Sequence, residues 1–269
     1  MAYPAADVAE LQESKDRYLF SSVVSHAMFD RSLLLVEGPG DVAFFESLRR
    51  QLYKDLPPSI LNRMRVCAVG SKTAFGPWLR LLRRFTNPGS GDLAFSVLIC
   101  ADSIDAGADV MRALRESGVV VPVALSTAIT GLTSGLDVKT NPADSSVMSA
   151  RTVALNTSAM AAAIPVHFSA IDLEYSILEA LSDARAIQFA QEINITATSC
   201  LDLMAKMGSK GTAAGPSEKV GAKAPFVRAE LADWLNWDEI SLNVKTLLWR
   251  WVLGASADGQ HPKRPSCLT

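Results

Sequence analysis

Cysteine and histidine are too few and too scattered to build a metal or disulfide framework. The four cysteines, Cys67, Cys100, Cys200 and Cys267, form no CxxC pair, and the three histidines offer no zinc spacing. Cys67 and Cys100 sit inside apolar runs and read as core residues, which fits a reducing cytoplasm. A dominant charge is also missing. The 26 Lys and Arg face 28 Asp and Glu, a formal net charge of −2, so no global basic field advertises nucleic acid, and only a local basic patch stays open. No apolar run approaches ~18 residues, so no membrane-spanning helix is expected. The opening "MAYPAADVAELQESKDRY" is polar and acidic, unlike a signal peptide. There is no GxxxxGK(S/T) P-loop and no GxGxxG, which counts against a nucleotide-binding α/β protein of the usual kinds.

What the sequence does have is alternation. Hydrophobic residues make up 49% of 269 positions, enough for one large core or a core with an appendage. After a leading helix within residues 1–30, short apolar runs alternate with amphipathic segments. "SLLLVEG" reads as a strand, and "DVAFFESLRRQLYKDL" as a helix with Asp41 at its N-cap and Pro57-Pro58 at its end. "RVCAVGS" (Arg65–Ser71) is a second strand, followed by the helix "TAFGPWLRLLRRF" and the loop "NPGSGD". "FSVLICAD" is a third strand, "DAGADVMRALRESG" a third helix and "VVVPVAL" a fourth strand. This order predicts an α/β fold, a mainly parallel Rossmann-like sheet flanked by helices, over 31–182. Residues 126–162, rich in Ser, Thr, Ala and Asn, read as loop or small helices. "IPVHFSAIDLEYSILEALSD" reads as a fifth strand and a helix from near Asp172. A helical C-terminal region follows over 183–255. It is interrupted by the loop Gly208–Lys223 and closed by a flexible tail over 256–269.

The chemistry lies in the acids that stop the strands. Glu37 and Asp102 each stand at the carboxyl end of a predicted parallel strand, the edge at which open α/β sheets bind ligands. Carboxylates brought together there repel one another unless a cation sits between them or a proton is taken up. Their hard oxygens favour Mg²⁺ or Mn²⁺. Asp41, Asp105 and Glu174 stand near enough in sequence to complete such a site. Helix capping is the competing explanation for Asp41, Asp105 and Asp172, and explains Glu37 less well. Gly38 and Gly40 suit a tight turn and a close phosphate approach. Arg80, Arg83 and Arg84 form a basic stripe on "WLRLLRRF", either a solvated face or a nucleic-acid contact, and Lys72 follows the Gly70 turn. His167, among apolar neighbours, reads as a core residue, and Trp234, Trp237, Trp249 and Trp251 read as packing.

At these residues the chain resembles a TOPRIM domain, the metal-binding fold of topoisomerases, primases and certain nucleases. "LLLVEGPGD" resembles the first motif, with Asp41 at the position of the second acid in OLD-family (overcoming lysogenization defect) nucleases. "VCAVGSKTAFGPWLRLLRRF" resembles their second strand, glycine turn and helix. "LICADSIDAG" resembles the Asp-x-Asp motif, but the second aspartate position holds Ile104, and Asp105 lies one residue later. "VHFSAIDLEYSILEAL" places Glu174 at a family glutamate, and "VGAKAPFVRAELADWL" places Lys223 at a family lysine. The matches span about residues 31–235 in family order, without the ATPase half. The resemblance implies a Mg²⁺- or Mn²⁺-dependent endonuclease, cytoplasmic and acting as an antiphage-defence effector. Its implied partners are nucleic acid (DNA or RNA), a separate ABC/OLD-like ATPase subunit and further copies of itself, with no membrane. It implies Glu37, Asp102 and Lys223 as catalytic residues, Glu37, Asp41, Asp102, Asp105 and Glu174 as metal ligands, and Lys72, Arg80 and Arg84 as substrate contacts. The shifted Asp105 favours an alternative, a non-catalytic TOPRIM-fold binding or regulatory subunit.

Overall fold

The structure is a computed structural model that describes residues 32–83, 96–104, 106–138, 141–209, 225–256 and 262–269. The expected leading helix over 1–30 and the loop "NPGSGD" lie outside them, as do most of the loop 208–223 and the site candidates Arg84, Asp105 and Lys223.

Strands β1 (Ser32–Val36), β2 (Met64–Ala68), β3 (Ser96–Asp102) and β4 (Val166–Ser169) form one all-parallel sheet in the order β2-β1-β3-β4. Both faces are covered. Leu34 and Val36 enter one core and Leu33 and Leu35 the other, all of them buried. An unbroken apolar run is what a strand buried on both faces requires. The connections run through α1 (Pro39–Gln51), α2 (Pro58–Leu61), α3 (Phe75–Arg83), α4 (Ala106–Glu116), α5 (Val123–Thr130) and α6 (Pro142–Ala161). After β4 come α7 (Leu173–Leu178), α8 (Asp183–Glu192), α9 (Cys200–Lys206), α10 (Pro225–Trp234) and α11 (Leu242–Ala255). Helices α1, α2 and α7–α11 build the first core, while α3, α4, α5 and the C-terminal half of α6 build the second. No described helix is long and apolar enough to cross a membrane.

The helical C-terminal region is a layer of the first core. Trp251 of α11 is fully buried, and its Nε1–H donates to the Ser32 carbonyl at 3.1 Å. One turn on, a Cβ on Gly254 would stand 1.9 Å from Ser96 Oγ, so α11 approaches β1 and β3 more closely than a side chain at 254 permits. Trp234, Trp237 and Trp249 pack against the same core, and the Arg185 guanidinium lies 3.6 Å from the Trp234 ring centroid.

Four expectations fail, each for a local reason. "VVVPVAL" is no strand: Val119–Val121 pair with no strand, and Pro122 caps α5. The place beside β3 belongs to β4, which pairs over Ile99–Asp102. Val120 and Val123 are 88% and 83% exposed, so that apolar run never enters the sheet. Residues 126–162 hold the 20-residue α6, started by Asn141, whose side chain accepts from Ala143 N, with Pro142 at the first position. Its hydroxyls bond back to carbonyls one turn earlier (Thr152 to Met148, Thr157 to Val153, Ser158 to Ala154) and so stay within the helix. Asp41 is not the N-cap of α1. Pro39 starts the helix three residues sooner than that cap implies, and Gly38 is the cap. The tail is not frayed where it is described, because Leu268 is fully buried in the first core.

His167 of β4 is buried, as expected for a core residue. Its Nε2 sits 3.0 Å from Asn243 Oδ1, while Asn156 and Asn243 both donate to the Phe168 carbonyl. Burial, with the nearby Arg250 cation, pushes its pKa down to about 3. The unfolded chain therefore takes up this proton near pH 6.5 and the folded chain does not. Stability is complete above that pH and declines as pH falls toward 3. The expected loss from this residue is about 2 kcal/mol between pH 7 and pH 5. Urea midpoints at the two pH values check it, and His167→Gln should remove that part of the slope.

Candidate functional site

The carboxyl edge of the sheet opens into a cleft of ≈ 250 Å³. It lies between β1 and β3, where the chain parts. After β1 it turns into α1 on the first-core face, and after β3 into α4 on the opposite face. This is the topological switch point at which doubly wound sheets bind ligands. Glu37, Asp41, Asp102, Asp172 and Glu174 all line the cleft, with Arg228 among them.

Each acid is delivered by its own local logic. β1 and β3 pair with Leu35 opposite Ile99. Carrying that register on sets Glu37 level with Ala101, one residue before Asp102, on strands ~4.8 Å apart. Gly70, at φ +92°, turns the chain after β2 so that its N–H donates to the Glu37 carbonyl at 2.9 Å. Asp102 shares the side of β3 occupied by Cys100, whose thiol burial pushes up and keeps neutral. Asp102 Oδ1 accepts from Leu173 N at 3.2 Å, joining β3 to the start of α7.

Asp41 occupies the third position of α1, where its Oδ2 accepts from Gly38 N at 3.0 Å. A carboxylate in the first turn is favoured by the helix dipole. Gly38 itself is extended at φ −140°, so the expected tight turn there is not made. A Cβ on Gly38 would meet nothing within 4 Å, which leaves that rim open. Asp172 caps α7. It accepts from Tyr175 N at 2.8 Å and from Ser209 Oγ at 2.9 Å, so capping accounts for it. Just before it, Ile171 stands at φ +62°, a strained conformation for a β-branched residue. Ser103 Oγ, accepting from Ile171 N at 2.7 Å, and the Ile104 N–H on the Ile171 carbonyl hold this turn against the end of β3.

Sequence reasoning missed Arg228. It is 5% exposed, donates from Nη1 to Asp41 Oδ1, and from Nη2 to Glu174 Oε1 at 2.5 Å. The signal was present. Arg228 shares an inward helical face with Leu231, Ala232 and Leu235, an unusual address for a lone arginine. Helix α10 is fixed against α1 by Ser47 donating to Asp233 and by Gln51 Nε2 donating to the Ala232 carbonyl at 2.7 Å. Burial disfavours the Arg228 charge, but Glu174 and Asp41 outweigh it and hold the guanidinium ionised.

The expected substrate contacts are not brought here. Lys72 lies in the turn after β2, and Arg80 of α3 donates to Glu116 of α4 at 2.9 Å over the opposite face of the sheet. Neither lines the cleft.

The donor set fits one divalent ion better than two. Mg²⁺ is commonly held by one or two carboxylates and otherwise keeps water or phosphate oxygens, which Glu37 and Asp102 match. Asp41 and Glu174 do not fit a second ion, because each has an oxygen engaged by Arg228. Among the described residues no group of three or more His, Cys, Asp or Glu is placed to hold a metal. Comparison with protein-family models, curated proteins and solved structures finds no match for this chain.

Proposed function

We propose that this chain is a Mg²⁺-dependent endonuclease of the TOPRIM type, hydrolysing nucleic-acid phosphodiesters as an antiphage-defence effector beside a separate ATPase. The observation that carries this reading is the meeting of Glu37 and Asp102 in one cleft at the switch point of a parallel sheet. When bound, Mg²⁺ supplies Lewis-acid polarisation of a phosphoryl oxygen and acidifies the attacking water. Glu37 and Asp102 would hold the ion through hard oxygens. The open rim at Gly38 admits the phosphodiester, and Arg228 gives the acidic cleft a fixed positive charge. The motif order assigns Lys223 to the charge on the phosphate.

The engagement of Asp41 and Glu174 by Arg228 favours a second reading, a TOPRIM-fold subunit that binds without cutting. Incubation with supercoiled plasmid and with total RNA separates the two, using Mg²⁺, Mn²⁺ or EDTA. The nuclease reading expects cutting that either metal supports and EDTA stops. Retention of nucleic acid in EDTA, with no cutting under either metal, establishes the binding subunit.

A further inference from the structure

We propose that Arg228 takes the place of a second divalent ion, so that the cleft loads one metal ion per chain; this rests on the nuclease reading above. Five carboxylates line the cleft, and two of them already have a structural task or a neighbour that explains them. Asp172 is a helix cap bonded to Tyr175 N and Ser209 Oγ, and Asp102 braces the start of α7. Asp41 also accepts from Gly38 N, but it and Glu174 share a further partner, Arg228. They come from helices far apart in sequence, α1 and α7, and their side chains are 15% and 7% exposed. They stand close enough for the Glu174 charge to act on Asp41. Two nearly buried carboxylates that converge need a positive charge or a shared proton between them, and here both meet a positive charge.

In this molecule that charge is covalently attached. The planar guanidinium spans both carboxylates at once, one terminal nitrogen to each, a geometry that a lysine or a hydrated ion does not reproduce. It is 5% exposed and stands on a helix clamped to α1, so it does not swing away as a surface arginine would. A divalent ion brought to the same oxygens would meet a like charge a few ångströms away, with little water to screen it. Glu37 and Asp102, at the strand ends of the same cleft, would hold the first ion. A fixed cation also cannot be chelated, so the charge balance around Asp41 and Glu174 is independent of metal supply.

The test counts bound Mn²⁺ on the full chain by equilibrium dialysis, with free Mn²⁺ read by electron paramagnetic resonance. The wild type should saturate at one Mn²⁺ with a non-cooperative isotherm, and Glu37→Gln should weaken that binding at least tenfold. Arg228→Met, which removes the charge and keeps the bulk, should take up a second ion. Arg228→Lys, which keeps a cation, should remain at one. Two ions on the wild type overturn this inference while leaving the nuclease reading standing. No ion on the wild type at millimolar Mn²⁺ overturns both. One ion on the wild type and one on a folded Arg228→Met overturns the substitution of arginine for metal alone. If Arg228→Met does not fold, the wild-type count still decides between one ion and two.

Discussion

Glu37→Gln is expected to lower Mg²⁺-supported phosphodiester cleavage by at least about 100-fold while leaving the fold intact. The substitution keeps the shape and one oxygen but removes the charge that makes the side chain a hard ligand. Glu37 lines the cleft at intermediate burial, outside both hydrophobic cores, so the stability change should stay under about 1 kcal/mol. Its position is set by the backbone, through the Gly70 N–H on its carbonyl, and the substitution leaves that bond untouched. Initial rates on the cleaved substrate, paired with thermal melting, check the two halves of the claim. Cutting that survives the substitution removes Glu37 from the mechanism.

Arg228→Met should be the most destabilising change at the cleft, costing about 3–5 kcal/mol at neutral pH. The cost comes from leaving Asp41 and Glu174 nearly buried with no counter-charge between them. Burial already pushes the Asp41 carboxyl up, and the Glu174 charge adds to it. Arg228 and the Gly38 N–H oppose that rise. Without the guanidinium the Asp41 carboxyl protonates more readily, so the stability deficit should shrink as pH falls. Denaturant unfolding at pH 8 and pH 5 measures this, with the larger deficit expected at pH 8. Asp41→Asn and Glu174→Gln added to Arg228→Met should return most of the lost stability, since a neutral trio needs no cation. An Arg228→Met chain as stable as wild type at pH 8 would show that the ion pairs contribute nothing net.

Much of the cleft was legible before any coordinates. A buried parallel strand must end at the sheet edge, and an acid there is costly unless it meets a ligand, a donor or a cation. That argument singled out Glu37 and Asp102, with Asp41, Asp105 and Glu174 near enough to join them; Asp105 lies outside the described residues, and the other four line one cleft. What escaped it was the partner. Pairing Asp41 with Arg228 spans 187 residues, and pairing Glu174 with Arg228 spans 54. No local pattern encodes such distances. Only the inward helical face on which Arg228 stands hinted at it.

The sequence by itself determined the parallel α/β core. Period and apolar content are local properties: Leu33–Val36 must be covered on both faces, and "DVAFFESL" must turn one face inward. Tertiary structure alone decided which apolar run joined the sheet. Val119–Val121 and Val166–Ser169 are both strand-like, and the second won the edge of β3 because its register continues into the laced turn 169–173. It also decided that a 20-residue Ser- and Thr-rich stretch would be helical. And it decided what neutralises the acids, since a cation's position in space depends on how α10 packs on α1, which no window of sequence contains.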